Sequence, residues 1–317
     1  MNAERSTDRD RPVGELSGIL KRFKKKEVSA PDPISLGMIK SVYKHAIEYS
    51  TVAAGSTGLV MFGGLSILAL GCFLSWDFYH RTLPHGIREP FDIISMGAVA
   101  LFFYIGIYGG IKFIRLELHR PEGEPIIFDR KNRKVYRIYR ESYAGFRGLL
   151  MAWPMKYAEH DWDLVDAEHQ AALNATGSSA MRNHGLIFLV RKNKDDPEIV
   201  ASFTLGGGLQ MGEITLPAVW EHIRRFMEDG GPHLPREEIL PEKIPRLSLL
   251  QCLARSGPFG KNFRIWLKNY TFLFFLYVIL LPISFPVLTF IGICRWLSIR
   301  TAIPIIWPRH VEENVKI

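Results

Sequence analysis

Three stretches of the chain carry no charged residue: Ser50 to Trp76, Ile93 to Ile111 and Tyr270 to Cys294. A helix rises 1.5 Å per residue, so about 20 apolar residues cross a hydrocarbon layer of roughly 30 Å. The first stretch exceeds that length and the second just meets it, which predicts two membrane-spanning helices. A Lys, Arg or Asp at the centre of such a helix costs about 2.5–3.5 kcal/mol, in keeping with Asp77, Asp92 and Lys112 at the margins. The first run begins about fifty residues in, behind a charged start, so it reads as a permanent anchor rather than a cleavable signal.

Charge orients the pair. Lys21, Arg22, Lys24, Lys25, Lys26, Lys40 and Lys44 precede the first span, and Lys112, Arg115 and Arg120 follow the second, whereas the connection from Asp77 to Asp92 has only Arg81 and Arg88. The positive-inside rule then places both flanks in the cytoplasm of a multi-pass inner-membrane protein. Gly55, Gly58, Gly63 and Gly64, with Gly106 and Gly110 in GxxxG spacing, would let helices approach closely within one chain or between copies, the second case being a homo-oligomer.

Pro282 and Pro286 interrupt the third run, and each removes a helix hydrogen bond. A kinked full span would carry Trp296, Arg300, Trp307 and Arg309 to the far side. A re-entrant hairpin turning at Pro282 to Pro286 would return them to the cytoplasm. Length favours the span and charge favours the hairpin.

The polar segments divide the chain into four parts: a basic cytosolic tail (1–49), two membrane helices (50–111), a cytosolic α+β domain (112–241), and a C-terminal linker with its apolar membrane segment (242–317). In the tail, Leu16, Ile19, Leu20 and Phe23 recur at helical spacing among lysines, the pattern of an amphipathic helix lying on anionic lipid. Its membrane-surface residues are Lys21, Arg22, Phe23, Lys24, Lys25 and Lys26; the competing interpretation is a solvated charge run. No aromatic residues are interleaved as a nucleic-acid motif requires, so nucleic acid is not an expected partner. Pro31-Asp32-Pro33 reads as a hinge, after which Ser35 to Tyr49 can run helically into the first span.

In the third part, Glu124 to Phe128 and Val135 to Tyr139 form one hairpin across a polar turn, and Gly185–Arg191 and Glu198–Thr204 form another. Leu149–Trp153 and Trp162–Asp166 look like further short strands. Pro217 to Asp229 has a helical apolar face and a Gly230-Gly231 stop. The combination describes an antiparallel sheet or partial barrel capped by a helix, an arrangement akin to pleckstrin-homology domains.

Chemical motifs are sparse. Glu159, His160, Asp161 and Asp163 around Trp162 lack the spacing of a metal site or an acid–base pair, and read as an acidic surface for a partner formed by Glu159, Asp161, Trp162 and Asp163. Gly206-Gly207-Gly208 lacks a phosphate-loop context and reads as a flexible turn. Cys72, Cys252 and Cys294 cannot form a disulfide framework. No catalytic, cofactor or metal residues are assigned, and an enzyme is not expected.

The strings Pro125-Ile126-Ile127-Phe128-Asp129-Arg130, Lys134-Val135-Tyr136-Arg137, Val219-Trp220-Glu221-His222-Ile223-Arg224-Arg225-Phe226-Met227-Glu228 and Gly231-Pro232 resemble a bacterial membrane-protein family of unknown function, over roughly residues 40–300. Many of its members are encoded near type VI secretion effectors. The resemblance implies a helical membrane hairpin, a cytosolic domain and a C-terminal apolar segment, and an immunity or accessory role in interbacterial competition. The expected partners are the lipid bilayer and a protein, either a toxin or a secretion component. A membrane-acting effector and a sensor of lipid surfaces are the alternative functions.

Overall fold

The computed structural model describes residues 18–50, 57–81, 84, 90–141, 143, 145–176, 179–196, 198–205, 212–240, 247–256 and 271–316. Two long helices, α1 (Leu59–Arg81) and α2 (Pro90–Glu117), form an antiparallel pair. Gly64 and Gly71 of α1 face Gly110 and Gly106 of α2: a Cβ on Gly64 would come 2.8 Å from the Gly110 carbonyl oxygen, and one on Gly106 would come 3.2 Å from the Gly71 Cα. The GxxxG residues are therefore used within the chain, where the absent side chains allow backbone contact. Gly55 lies outside the described residues, and Gly63 faces open space.

The pair is inserted into a β-meander. β3 (Ala46–Tyr49) enters α1, and β4 (Ile126–Asp129) leaves α2 and pairs antiparallel with β3. With β2 (Ile39–Val42), β5 (Lys134–Arg140) and β6 (Met155–Asp161) they form a five-stranded antiparallel sheet in chain order. A single 3₁₀ turn at Trp162–Leu164 then redirects the chain into β7 (Val165–Thr176), β8 (Ser179–Arg191) and β9 (Ile199–Leu205). These three strands, with β1 (Gly18–Phe23) on the outer edge of β7, form a second antiparallel sheet. The two expected hairpins appear as β4–β5 and β8–β9.

Several expectations are corrected. The segment expected as an amphipathic helix is strand β1 from Gly18 to Phe23, followed by a turn that carries Lys24, Lys25 and Lys26; Leu16 lies outside the described residues. Ile19 and Phe23 are both buried in this strand, whose register shifts between Ile19 and Lys21; a spacing of four fits one face of a helix and one side of a regular strand alike. Ser35 to Tyr49 contains β2 and β3 rather than a helix leading into the first span, and that span begins at Leu59. Leu149–Trp153 is not a strand: α3 (Arg147–Leu150) and an extended segment occupy it.

The core lies between the sheets and α4 (Thr215–Glu228), as the sequence pattern predicts for that helix. Trp162 and Trp220 stack at 5.9 Å between ring centroids, with Phe23 on Trp220 at 5.6 Å and Phe128 edge-on to Trp162 at 6.0 Å. Gly230, at φ +66°, adopts the left-handed conformation that ends α4. The opposite face of the five-stranded sheet is also covered. α7 (Arg309–Lys316) sets Val311 and Val315 on Ala46, Ile127 and Tyr136. Coverage of both faces explains why Ile126-Ile127-Phe128 is apolar without alternation.

Among the described residues two further helices precede α7, α5 (Leu249–Ser256) and α6 (Thr271–Thr301). Pro282 and Pro286 lie inside α6, which is continuous, so no turn occurs there. α6 runs antiparallel to α1: Phe62 meets Phe290, and Gly58 meets Arg295. Ile303 then exchanges backbone hydrogen bonds with Arg120 and Glu122. The residues after α6, Trp307 and α7 among them, thus pack back on the first sheet, while Pro282–Thr301 remains long and apolar enough to cross a membrane.

α1, α2 and Pro282–Thr301 of α6 are each long and apolar enough to cross a membrane. Their outward faces expose large apolar side chains such as Leu70, Phe73, Leu101, Phe102, Ile283 and Phe285. Contiguous exposure of this kind marks a lipid or protein contact.

Candidate functional site

The strands of the first sheet have a helix end and a free end. At the helix end, Arg140 closes β5 by donating to the carbonyls of Arg115 (2.9 Å) and Leu118 (2.6 Å) at the base of α2. Arg133 and Lys134 begin the same strand, about 20 Å away at 3.3 Å per residue. The richest charged site is at this free end.

A depression of about 390 Å³ opens there between the turn after β1 and the corner joining β6 to β7. Lys24, Lys25, Lys26, Arg133 and Arg191 line it, together with Asp163, Asp166 and Glu228 over a floor that includes Phe23 and Trp220. Five cations meet three carboxylates, so the site is net positive. Arg133 bridges Asp163 (2.6 Å) and Glu228 (3.2 Å), which raises the arginine pKa and holds the Asp163 carboxyl below its usual range. Arg191 pairs with Asp166 at 2.8 Å.

Lys25 donates to the Trp162 carbonyl, and its ammonium lies 4.7 Å from the centre of the indole ring. Burial lowers its pKa to about 8, against the opposing pull of Asp166, Glu228 and Asp163. Helix α4 holds this turn in place. Arg224 reaches the Lys25 carbonyl at 3.2 Å while pairing with Glu221 and Asp229, and Glu221 accepts from the Ser29 amide at 2.8 Å. Glu221 is fully buried, so the two arginines and the amide that surround it offset the desolvation of its charge.

The two groups of residues singled out in the sequence thus converge in part. Lys24, Lys25, Lys26 and Asp163 share the depression. Lys21 projects from β1 with its ammonium 5.6 Å from the Phe23 ring centre, and Arg22 is paired with Glu168 at 2.9 Å. Glu159 is bound to Lys134, while Asp161 is exposed at the end of β6. Phe23 and Trp162 are core residues; Trp162 is fully buried and donates its indole N–H to Glu228 at 2.6 Å, so neither ring stands on an outer surface. All these side chains lie at or toward the free end, opposite the long helices. Arg133, Arg191 and Glu228 were missed because they are separated widely in sequence; the polar β4–β5 turn was the only local signal.

No group of three or more potential metal ligands occurs among the described residues. His169 and His184 are buried and hydrogen-bonded to each other at 2.8 Å, with the His169 pKa lowered by burial and then by its neighbour. The Gly206–Gly208 turn lies outside the described residues.

Residues 100–316 match a family of unknown function (DUF6708), and the chain belongs to it. The match runs from within α2 to the C-terminal helix and leaves out β1–β3 and α1. No curated protein and no solved structure matches the chain.

Proposed function

We propose that this DUF6708 protein is a non-enzymatic, multi-pass protein of the bacterial inner membrane that presents a cytosolic protein-binding site at the end of its domain farthest from the bilayer. The observation that carries this reading is the polarity of the molecule. Exposed apolar helices stand at one end of the sheets, and a charged depression faces away from them at the other. The sheets resting on the flanks rich in Lys and Arg supports a cytosolic domain. A net positive site whose three carboxylates are already paired with Arg133 and Arg191 suits an acidic protein surface, because complementary charge speeds encounter and selects the partner.

The partner, on this reading, is a toxin or a component of a type VI secretion system, and the protein is an immunity or accessory factor. The resemblance of its hairpin and helix motifs to a family encoded beside such effectors supports this assignment. A competition assay tests it. A strain lacking the gene is expected to lose against its parent, and complementation with Lys24→Glu/Lys26→Glu is expected not to restore it. Equal survival of the deletion strain and its parent contradicts the immunity role.

A further inference from the structure

The connection between β5 and β6 carries apolar side chains left largely exposed among the described residues. Phe146 is 61% exposed, Leu150 86% and Met151 49%. The backbone that displays them is held firmly. Arg115 of α2 donates to the carbonyls of Leu149 and Met151, and Trp153 donates its indole N–H to the Gly148 carbonyl at 3.0 Å. Arg115 and Arg140 both lie over the Trp153 ring, at 5.4 Å and 4.8 Å from its centre. The exposure is thus a fixed feature of α3 and its flanks.

Its position matches a bilayer boundary. Phe146 sits 6.0 Å, centre to centre, from both Tyr104 and Tyr108 of α2. The Lys112 ammonium lies 5.7 Å from the Tyr108 ring centre, so α2 passes from aromatic to cationic within one turn. Tyr and Lys are the residues favoured where hydrocarbon gives way to headgroups. Phe146 therefore reaches past Lys112 by about 6 Å or more along the axis at 1.5 Å per residue, within the depth of about 5–10 Å at which interfacial segments rest. Arg147 is exposed beside these apolar groups and is placed to meet lipid phosphate.

We propose that residues 146–151 form a wedge that inserts into the headgroup and upper acyl region of the inner leaflet, a membrane contact additional to the helices that fixes the tilt of the domain. Continuity with the apolar surface of α2 selects lipid as the occupant. The inference rests on the reading of the helices as membrane spans, and the test separates the two.

An environment-sensitive fluorophore is attached at Phe146→Cys, Leu150→Cys, Leu101→Cys or Lys24→Cys in the full chain, with Cys72, Cys252 and Cys294 replaced by alanine. The protein is reconstituted in vesicles of phosphatidylethanolamine and phosphatidylglycerol. At 146 and 150 the emission is expected to be blue-shifted and quenched several-fold more by lipids with a nitroxide near the headgroup than by lipids with one deep in the chain. The ratio reverses at 101, and only aqueous iodide quenches at 24. If 146 and 150 behave like 24 while 101 stays in lipid, the wedge is overturned and the spans stand. If 101 also reports water, both fall.

Discussion

The two ends of strand β5 use arginine in opposite ways. At the helix end, Arg140 and Arg115 donate hydrogen bonds to backbone carbonyls and lie over Trp153. At the free end, Arg133 binds two carboxylates at the rim of a charged depression. The first arrangement ties helix to loop through neutral acceptors, and the second pairs charge with charge at a surface open to water. On the proposed reading, the orientation of the domain relative to the bilayer follows which acceptors the cations meet, as well as helix hydrophobicity.

Trp162→Ala breaks the free end most severely. It removes a fully buried indole from the stack with Trp220 and Phe128, and truncations of this size cost about 3–5 kcal/mol. Chemical unfolding should show the loss, with the turn carrying Lys25 becoming protease-sensitive. At the helix end, Glu117 is the sharper target. Its buried carboxylate accepts from the amides of Gly58 and Met61, so it caps the start of α1 from the end of α2. Glu117→Ala leaves two buried donors unpaired at about 1–2 kcal/mol each, the lower part of the usual range because both amides sit at a helix start, and detergent-solubilised protein is expected to lose about 2–4 kcal/mol in thermal or denaturant unfolding.

Between the two ends, His222 supplies a pH signature. It is buried beside the Tyr49 hydroxyl at 2.6 Å, and burial lowers its pKa to about 4. Between pH 6.5 and 4 the unfolded chain takes up a proton that the folded one refuses. The contribution is therefore complete above pH 6.5 and declines as the pH falls toward 4, by a total of order 3 kcal/mol. Stability measured across that range should flatten in His222→Gln. The smallest effect on folding is expected for Lys24→Glu/Lys26→Glu, within about 0.5 kcal/mol because both side chains are exposed. Partner binding should nevertheless fall, and the loss should shrink as salt is raised.

Much of the architecture could be read locally. The spans announce themselves by length, and α4 by its face and its glycine stop. The β4–β5 and β8–β9 hairpins are marked by β-formers around polar turns. The N-terminal strands were hidden for two physical reasons. In β1 the buried Ile19 and Phe23 lie four apart, a spacing that fits one face of a helix and one side of a regular strand alike. In β2 and β3 the apolar residues Ile39, Val42, Ala46 and Ile47 serve both faces of a covered sheet, so their alternation is lost. The meeting of Lys25 with Arg133, Arg191 and Glu228 depends on strand order and on the turn at Trp162, which no local pattern encodes. The return of the C-terminus depends on Val311 and Val315 finding the outer face of the sheet, a contact between segments about 180 residues apart.

On the proposed reading, the N-terminal strands, the charged depression and the C-terminal helix share one side of the membrane, with the tip of the α1–α2 pair on the other. Single cysteines at His80, Lys24 and Glu313, in a chain otherwise free of cysteine, test it in intact cells with a membrane-impermeant maleimide. His80→Cys is predicted to label from outside, and Lys24→Cys and Glu313→Cys only after permeabilisation. Labelling of Lys24→Cys or Glu313→Cys from the same side as His80→Cys would contradict the account.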